Sequence, residues 1–320
     1  MLWVNTMECE DARTIDFVGD IHGFVDPLKR LLEKLGYQKT QTGWTHPHAR
    51  LVFLGDLIDR GPGQKETVEL VRTLCESGLA TCLSGNHEFN AVGFVTPRPD
   101  QPDQMIRSHT PNHIAQHEAF LEAYANDAAG YQETLEWFQS LPLWFASERV
   151  RAVHACWHSG SQETLAPYLD AVNRPRSLEF FKASGVPGSK AWEAREVTLN
   201  GLEARLPEAA SFEDYYGVTR RKIRVNWWAP EQRTYRDAAV IDDTQRARIP
   251  NLPMHEPVPD YRDTLCFFGH YWMRGRPRIE HPRAVCLDYS VALEDGVLCA
   301  YRFQDEVDAC ATHLVWASKT

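Results

Sequence analysis

The sequence lacks three features that would each assign it to a broad class: a long apolar run, an excess of basic residues and closely paired cysteines. No apolar stretch approaches the ~18 residues of a membrane-spanning helix, which argues against a membrane protein. The 34 Lys and Arg against 44 Asp and Glu give a net charge of −10, which argues against broad nucleic-acid binding. None of the 8 cysteines forms a CxxC pair, so we expect buried thiols in a reducing compartment.

The N-terminal residues do not have the pattern expected of a secretory leader. Glu8, Glu10 and Asp11 stand where a leader would carry a basic start and an apolar run. Hydrophobic residues make up 43% of the chain, which is enough for a sizeable core and argues against widespread disorder. We therefore expect a soluble cytoplasmic protein with no membrane partner.

Residues 14–90 predict a βαβαβ arrangement. Four leucines over 28–35 have the spacing of one buried helix face, and Gly36 can close that helix. Alternating strands and helices favour a sheet with parallel strands and covered faces. The strands predicted here are Thr14–Gly19, Arg50–Leu54 and Ala80–Leu83, and the second predicted helix is Gln64–Cys75.

The rest of the chain predicts one domain, residues 1–320, with an insertion. The aromatic pattern predicts a helix over Gln116–Phe145 that ends at Leu141-Pro142. Residues 159–262 are polar and irregular, and we expect them to form a cap that sets specificity. Further strands are predicted at Val150–Val153, Thr264–Phe268, Ala284–Leu287 and Val297–Phe303.

Metal-competent side chains follow the ends of successive predicted strands. The carboxyl ends of strands in an open α/β sheet gather at one edge, so residues distant in sequence can meet there. Carboxylate, imidazole and amide ligands together suit Mn²⁺, Fe or Zn²⁺. Six ligands are too many for one catalytic ion that keeps an open position, but they suffice for two ions with a bridging carboxylate. The six are Asp20, His22, Asp56, Asn86, His154 and His270.

Each of these pieces has a simpler interpretation when taken alone. An isolated histidine is more often structural than a ligand. Gly85-Asn86-His87 can be a turn, and Asp59-Arg60 can be a surface ion pair. Their ordered occurrence at strand ends favours the metal site.

Other clusters leave two readings open. His109, His113 and His117 have helical spacing and can form an accessory metal site, but Pro111 interrupts the start and partly exposed histidines are the simpler interpretation. The basic segment Arg220–Arg224 can capture anions or form a solvated face. Four aromatic residues of the insertion can stack a nucleobase, with core packing as the default. They are Tyr215, Tyr216, Trp227 and Trp228.

Three ordered motifs give the chain a resemblance to a known family. GDIHG at Gly19–Gly23, GDLIDRG at Gly55–Gly61 and GNHE at Gly85–Glu88, followed by His154 and by Gly269-His270, look like the calcineurin-like metallophosphoesterase superfamily. The second motif resembles the phosphoprotein phosphatase branch, which includes bacterial Ser/Thr phosphatases and diadenosine tetraphosphatases. The resemblance implies an α/β fold, the four-layer αββα sandwich of metallophosphoesterases with an inserted cap region, and a metal-dependent phosphatase activity.

The resemblance also implies a ligand set for each of two divalent ions. Asp20, His22 and Asp56 would hold the first ion. Asp56 would bridge to the second ion. The other ligands of that second ion would be Asn86, His154 and His270.

Catalytic and substrate-binding roles follow from the same resemblance. His87, oriented by Asp59, would be the general acid, which suits an imidazole fixed by a carboxylate. Arg60 and Asn86 would contact the substrate phosphate, Arg60 through its planar fork. Ser84 stands where the phosphoprotein phosphatases carry an arginine, which removes one expected phosphate contact.

A further phosphate-binding arginine is expected after a tryptophan-containing segment of the family. Trp227-Trp228-Ala229-Pro230 resembles that segment loosely. Arg233 or Arg236 would then be the arginine.

Three functional hypotheses follow. The leading one is hydrolysis of phosphomonoesters, either phosphoproteins or small phosphate esters, by in-line attack of a metal-bridging hydroxide, with manganese favoured. The alternative is a phosphohydrolase acting on dinucleoside polyphosphates or nucleic-acid ends. The third is a catalytically silent relative that binds phosphorylated partners, which the intact set of ligands disfavours. In each case the partner is a phosphorylated small molecule, nucleotide or phosphoprotein.

Overall fold

The computed structural model describes residues 14–41, 43–207, 210–213, 219–229, 234–241, 243–254 and 263–319. The strands in these residues are β1 (Thr14–Val18), β2 (Gln38–Thr40), β3 (Gly43–Thr45), β4 (Ala49–Phe53), β5 (Ala80–Cys82), β6 (Trp144–Ala146), β7 (Val150–Val153), β8 (Glu203–Arg205), β9 (Phe212–Glu213), β10 (Thr219–Arg220), β11 (Lys222–Arg224), β12 (Leu265–Phe268), β13 (Ala284–Cys286), β14 (Asp288–Tyr289), β15 (Val297–Phe303) and β16 (Leu314–Ser318). The α-helices are α1 (Val25–Lys34), α2 (Gln64–Glu76), α3 (Asn86–Val95), α4 (Pro111–Ala123), α5 (Ala128–Gln139), α6 (Ser159–Leu165), α7 (Glu179–Ser184), α8 (Lys190–Asn200), α9 (Tyr235–Ala238) and α10 (Asp243–Arg246).

Helix α1 forms where the leucine spacing predicts it. Leu28 and Leu32 are fully buried on the side that packs against the first sheet. Gly36 follows the helix with a φ of 86°, in the left-handed region that glycine adopts without steric cost. The N–H of Gly36 donates to the carbonyl of Glu33 at 3.0 Å, and that of Tyr37 donates to the carbonyl of Leu32 at 2.9 Å. These two bonds form a Schellman motif, so Gly36 ends the helix as predicted.

The first sheet has the strand order β14-β15-β1-β4-β5, with β16 paired to β15. Strands β1, β4 and β5 are parallel to one another, which confirms the predicted βαβαβ arrangement. Strand β15 runs antiparallel to β1. Because β1, β4 and β5 are parallel, the loops that follow them all emerge at the same edge of the sheet.

The second sheet has the order β13-β12-β7-β6 and packs face to face on the first. Phe267 of β12 stacks on Phe17 of β1 with ring centroids 4.3 Å apart, and the ring of Tyr301 in β15 lies 4.7 Å from Phe267. Helices cover the outer faces of both sheets. Helices α1 and α2 pack on the first sheet, and α6, α7 and α8 share a hydrophobic cluster with the outer face of the second sheet. The predicted four-layer sandwich is confirmed.

The predicted helix over Gln116–Phe145 is wrong in its bounds. Two helices, α4 and α5, occupy this part of the chain, and β6 follows them. Pro111 does not interrupt α4 but is its first residue, where the missing N–H has no helical partner to lose. The side chain of Thr110 accepts from the N–H of His113, and Asp127 caps α5 in the same way. Two N-caps therefore divide a segment that the apolar pattern alone joins.

The insertion at 159–262 has two structurally different parts within its described residues. Helices α6 to α8, together with Trp227 and Trp228, contribute to the main core, whereas other residues after 200 build a small cluster of their own. That cluster is formed by Ala204, Leu206, Ile223, Val225, Tyr235, Ala238, Ala239 and Ile249. The expectation that the insertion acts as a specificity cap stays a prediction.

The paired tryptophans of the insertion lie in the core, as the default interpretation predicts. Trp227 is fully buried, its ring lies 4.8 Å from that of Phe268, and its indole N–H donates to the carbonyl of Ala155 at 3.0 Å. Their burial leaves them no free face for a nucleobase. Tyr215 and Tyr216 lie outside the described residues.

The cysteines of the described segments are all free thiols. Cys75 is half-buried and Cys310 is exposed, while the remaining five are buried, as expected. These five are Cys82, Cys156, Cys266, Cys286 and Cys299. Among the helices that the structure describes, none is both long enough and apolar enough to cross a lipid bilayer.

Removing the aromatic contact between the sheets should destabilise the whole fold. Phe267→Ala empties a fully buried volume next to Phe17 and should lower the free energy of unfolding by about 3–5 kcal/mol. Chemical denaturation monitored by circular dichroism measures this loss. Val307→Ala is the matched control, because Val307 is 64% exposed and its truncation should cost little. Equal stability of the two variants would contradict the packing described.

Candidate metal centre and active site

The loops after five strands of the two sheets converge on one small buried region. Asp20, Asp56 and Asn86 follow β1, β4 and β5 of the first sheet, while His154 and His270 follow β7 and β12 of the second. His22, Asp56 and His270 have φ values of 51°, 53° and 72°, in a backbone region that residues other than glycine rarely adopt. Backbone strain of this kind is concentrated at functional sites, where surrounding contacts enforce it. The six predicted ligands lie together, with Asp20 hydrogen-bonded to the backbone of His270 and Asn86 next to His154: Asp20, His22, Asp56, Asn86, His154 and His270.

The carboxylate of Asp56 lies at the centre of this region. Its Oδ2 is 3.8 Å from Nε2 of His22, and its Oδ1 is 3.4 Å from Nε2 of His154. Oδ1 also accepts from the backbone N–H of His87 at 3.0 Å. Although burial opposes ionisation, the nearby histidines hold the pKa of Asp56 well below its usual value. Asp56 is therefore an ionised carboxylate with one oxygen facing each histidine.

Two backbone carbonyls fix the orientation of the facing histidines. Nδ1 of His22 donates to the carbonyl of Ile58 at 2.8 Å, and Nδ1 of His154 donates to that of Leu54 at 2.7 Å. Both Nε2 atoms point toward Asp56, and the charge of Asp56 raises the pKa of His154 although burial opposes its protonation. Burial lowers the pKa of His22 to about 3, so its imidazole is neutral. A neutral imidazole whose other nitrogen is hydrogen-bonded is the form that binds a metal ion.

Asp20 and His270 complete the buried cluster. The carboxylate of Asp20 accepts from the backbone N–H of His270 at 3.1 Å. Burial raises the pKa of Asp20 well above its usual value, and the carboxylates of Asp288 and Asp56 raise it further. The Nε2 atom of His270 is buried with no hydrogen-bond partner among the described residues. Crowded carboxylates and an orphaned imidazole nitrogen are both groups that divalent cations would satisfy.

The donor atoms form two overlapping groups that fit two cations. In each group the ligand atoms lie within 4.8 Å of one another. His22, Asp56 and His87 form one group, and Asp56, His154 and His270 form the other, so Asp56 belongs to both. Asn86 lies beside the second group, because its Oδ1 is 3.1 Å from Nε2 of His154. The residues present therefore fit a two-ion site.

His87 makes its closest polar contact away from the metal-competent atoms. Its Nδ1 donates to Oδ2 of Asp59 at 2.7 Å. Burial opposes protonation of His87, but the negative charges of Asp56 and Asp59 raise its pKa to about 9. His87 thus carries its proton at neutral pH, as the resemblance implies for a general acid.

Arg60 lies at the exposed rim of this region, next to the aromatic side chain of Trp272. Its guanidinium carbon is 4.8 Å from the ring centroid of Trp272. Trp272 is 47% exposed, and its backbone N–H donates to the buried carboxylate of Asp288 at 2.8 Å. Ser84 is buried, so it offers no substitute for the arginine that the resemblance leads one to expect there.

Two glycines of the motifs leave the space that the acidic ligands occupy. A Cβ atom on Gly85 would lie 2.2 Å from Oδ1 of Asp56, and one on Gly269 would lie 2.1 Å from Oδ1 of Asp20. No side chain fits at such distances. Glycine is therefore required at both positions by the ligands and not by the backbone alone.

Sequence reasoning missed the structural role of Glu88. Its buried carboxylate accepts three backbone N–H groups, from Asp56 and Leu57 at 2.8 Å and from Gly85 at 2.9 Å. Burial and the neighbouring charge of Asp56 raise the pKa of Glu88 to about 7. The signal was present, because glutamate at the third helical residue commonly reaches back to the start of a helix.

The three histidines with helical spacing, His109, His113 and His117, lie in different environments. His109 is exposed and His113 is half-buried, which agrees with the simpler interpretation. That interpretation is wrong for His117, which is buried and whose Nδ1 lies 2.7 Å from Oδ1 of Asp59. Within the described residues, these three histidines are not among the groups that bring three metal-competent atoms together.

Of the two arginines of the insertion that were candidates for binding phosphate, the structure describes only Arg236. Arg236 donates to the carbonyls of Ile249 and Ala247, so its guanidinium is engaged inside the small cluster of the insertion. Arg233 lies outside the described residues.

Comparison with known proteins places the chain in a family. Residues 13–271 match the family described as calcineurin-like phosphoesterase. The chain belongs to this family. The predicted superfamily is thereby confirmed, and the observed sandwich agrees with the fold that the resemblance implies.

Curated relatives of this calcineurin-like phosphoesterase are similar to it over part of their length. It is 29% identical over 153 residues to the asymmetrical bis(5'-nucleosyl)-tetraphosphatase PrpE of Oceanobacillus iheyensis, covering 47% of this chain and 58% of that protein. It is 26% identical over 195 residues to the symmetrical bis(5'-nucleosyl)-tetraphosphatase of a Marinomonas species, covering 58% of this chain and 62% of that protein. The chain thus spans less than two thirds of the length of these relatives.

Solved structures support the fold. A crystal structure of a mutant cold-active protein tyrosine phosphatase aligns with a TM-score of 0.51 at 16% identity, covering 93% of this chain and 80% of that one. At this level of identity the likeness shows a shared fold and nothing about substrate.

Neutralising Glu88 should loosen the metal-free calcineurin-like fold. In Glu88→Gln one acceptor oxygen becomes an NH₂ group that faces backbone N–H donors, which should cost about 1–3 kcal/mol of stability. Thermal unfolding in the presence of a chelator measures the change. Glu118→Gln, an exposed position on α4, is the control and should unfold like the wild type. An unchanged unfolding temperature for Glu88→Gln would contradict the role assigned to Glu88.

Proposed function

We propose that this protein hydrolyses phosphoesters with two divalent cations bound at the strand ends. The observation that carries the proposal is the position of Asp56. One of its carboxylate oxygens faces Nε2 of His22 and the other faces Nε2 of His154, and a backbone carbonyl at Nδ1 orients each imidazole. A carboxylate in this position can bridge two cations.

The proposed ligand sets agree with the two groups of donor atoms except at the first cation, where Asp20 would replace His87. Asp20, His22 and Asp56 would hold one cation, and Asp56 would share the second with the residues from the other sheet. Those residues are Asn86, His154 and His270. Bound divalent ions would supply a nucleophile at neutral pH by lowering the pKa of water and would neutralise the charge of the phosphoryl group. Mn²⁺ is the first cation to test among Mn²⁺, Fe and Zn²⁺, since all accept mixed oxygen and nitrogen ligands.

His87 is placed to deliver a proton to the leaving oxygen. Its Nδ1–H is bound to Asp59, which leaves Nε2–H directed to the same side as Oδ2 of Asp56, 3.8 Å away. A positioned imidazolium at this point converts a poor leaving group into a neutral alcohol. Asp59 contributes by fixing the ring and by stabilising its positive charge.

Two arginines are available to the phosphate. Arg60 is exposed and its guanidinium is oriented by the ring of Trp272. Arg224, in β11 of the insertion, lies with its guanidinium carbon 5.7 Å from the ring of Tyr271, and after burial its charge is the largest cause of the lowered pKa of His270. Arg224 is therefore the described arginine of the insertion whose charge reaches the site, and with Arg60 it would attract a compact anion despite the net negative charge of the chain.

Two substitutions separate metal binding from proton transfer. Asp56→Asn removes the shared charge and should abolish both metal binding and turnover. His87→Asn should retain both ions but lower kcat for phenyl phosphate by about 10²-fold or more, because a general acid typically contributes ~10²–10⁴-fold. Metal analysis by mass spectrometry and steady-state kinetics measure the two effects.

The controls for this experiment are simple. Protein stripped of metal with a chelator should be inactive and should regain turnover with added Mn²⁺. His109→Asn, at an exposed position, should match the wild type. Full activity of Asp56→Asn or of chelated protein would overturn the proposal. Two bound ions without turnover on any phosphoester would favour a silent phosphate-binding relative.

A phosphomonoester is the first substrate we propose, and a dinucleoside polyphosphate is the second. The observation that favours the second is the exposed ring of Trp272, two residues beyond His270 and against Arg60. One face of the ring carries the guanidinium, and the other can stack a nucleobase. The relatives named as bis(5'-nucleosyl)-tetraphosphatases add support to this candidate.

Trp272→Ala should distinguish these two substrate classes. Loss of a stacked base should lower kcat/KM for diadenosine tetraphosphate by about 10-fold or more, since base stacking contributes ~1–3 kcal/mol. The change for p-nitrophenyl phosphate should be much smaller, and Trp272→Phe should retain most of the activity on both. Equal losses on both substrates would speak for a general role of Trp272 in holding Arg60, and against nucleobase recognition.

A further inference from the structure

The carboxylate of Asp59 is shared by two histidines from different helices. Its Oδ2 accepts from His87 of α3, and its Oδ1 accepts from His117 of α4, both at 2.7 Å. Its backbone N–H donates to the side chain of Gln64 at 2.8 Å, and its φ is 66°. Asp59 is only 3% exposed. Both oxygens and the backbone of this residue are therefore held.

We propose that His117 is a positioning residue for proton transfer: it holds the Asp59 carboxylate in the orientation that directs His87 toward the leaving group. The inference rests on the proposed function, in which His87 is the general acid. His117 itself touches neither the metal-competent atoms nor, on this reading, the substrate. It acts through Asp59.

The charge state of Asp59 determines which atoms carry protons. Burial alone would raise the pKa of Asp59, but the hydrogen bonds from His117 and His87 keep it below its usual value. An ionised carboxylate only accepts hydrogen bonds. Nδ1 of each histidine must therefore be the donor, and Asp59 is an anion with one imidazole N–H on each oxygen.

The surroundings of His117 fit a residue that orients and does not exchange protons. Its Nε2 is buried and has no hydrogen-bond partner among the described residues. Its ring centroid lies 5.2 Å from that of Phe94 and 5.0 Å from that of Phe120. These aromatic neighbours fix the plane of the imidazole, and no polar path leads from Nε2 toward the metal-competent atoms within the described residues.

Without His117, one oxygen of a buried carboxylate loses its donor. An unsatisfied buried acceptor is costly, so the carboxylate of Asp59 would turn to share its oxygens or admit water. Either change alters the bond to His87 and the direction of Nε2–H. We expect this change to slow proton donation from His87 to the leaving oxygen, which limits the rate only when the leaving group is poor.

The test compares two leaving groups in three variants. His117→Leu removes the donor. His117→Gln keeps polarity but carries its amide about where Nε2 lies, while His117→Asn places an amide N–H near the position of Nδ1. We expect kcat for phenyl phosphate to fall by about 10–100-fold in His117→Leu and His117→Gln, which is part of the ~10²–10⁴-fold of a general acid, and to recover in His117→Asn. With 2,4-dinitrophenyl phosphate, whose leaving group departs as the phenolate anion without a proton, all three variants should match the wild type.

A matched control and an independent signal accompany the kinetics. His109→Asn alters the neighbouring exposed histidine, which stacks on Phe94 at 3.9 Å but does not contact Asp59, and it should match the wild type on both substrates. In proton NMR spectra, the hydrogen-bonded Nδ1–H protons of His87 and His117 should resonate at low field in the wild type. The signal of His87 should shift or disappear in His117→Leu and persist in His117→Asn.

Every outcome bears on the assignment. Equal losses on both substrates, or loss of bound metal in His117→Leu, would show a purely structural role and overturn it. Failure of His117→Asn to exceed His117→Gln would also overturn it, and this comparison stands even where His117→Leu does not fold. If the wild type hydrolyses no phosphoester, the proposed function fails, while the NMR signals still decide whether His117 holds Asp59 against His87.

Discussion

The buried carboxylate of Asp56 is the constraint on which the rest of the site depends. A buried charge is tolerated only where partners surround it. Its oxygens face His154 on one side and His22 on the other, and its backbone N–H is held by Glu88. The space that this carboxylate takes excludes any side chain at Gly85. Motifs that look independent in the sequence are therefore parts of one arrangement around the carboxylate of Asp56.

Packing between the sheets converts this local arrangement into a two-sided site. The first sheet supplies the acidic and amide groups, and the second supplies two of the imidazoles. Their distance is set by a core that contains no polar site residue, with Phe17 stacked on Phe267. A change in sheet spacing would move His154 relative to Asp56, so stability and site geometry are linked through the aromatic core. Around this centre, Asp59 connects the helix that carries His87 with α4.

Much of the fold was predictable because its signals are local. The leucine spacing and Gly36 predict α1 and its end, and the alternation of strands and helices predicts the parallel part of the first sheet. The bounds of α4 and α5 were not predictable from apolar spacing, because Thr110 and Asp127 divide the segment through side-chain caps. Caps depend on single polar residues, which the hydrophobic pattern does not report.

The sequence by itself determined the order and chemistry of the metal-competent residues, because each follows a recognisable strand and all but His154 stand close to a glycine of a short motif. Only the tertiary structure decided which groups share a partner. His117 lies 58 positions from Asp59 and meets it through the docking of α4, and Arg224 reaches the surroundings of His270 while Arg236 is engaged inside the insertion. Such pairings depend on how separate elements pack, and no spacing along the chain encodes that distance.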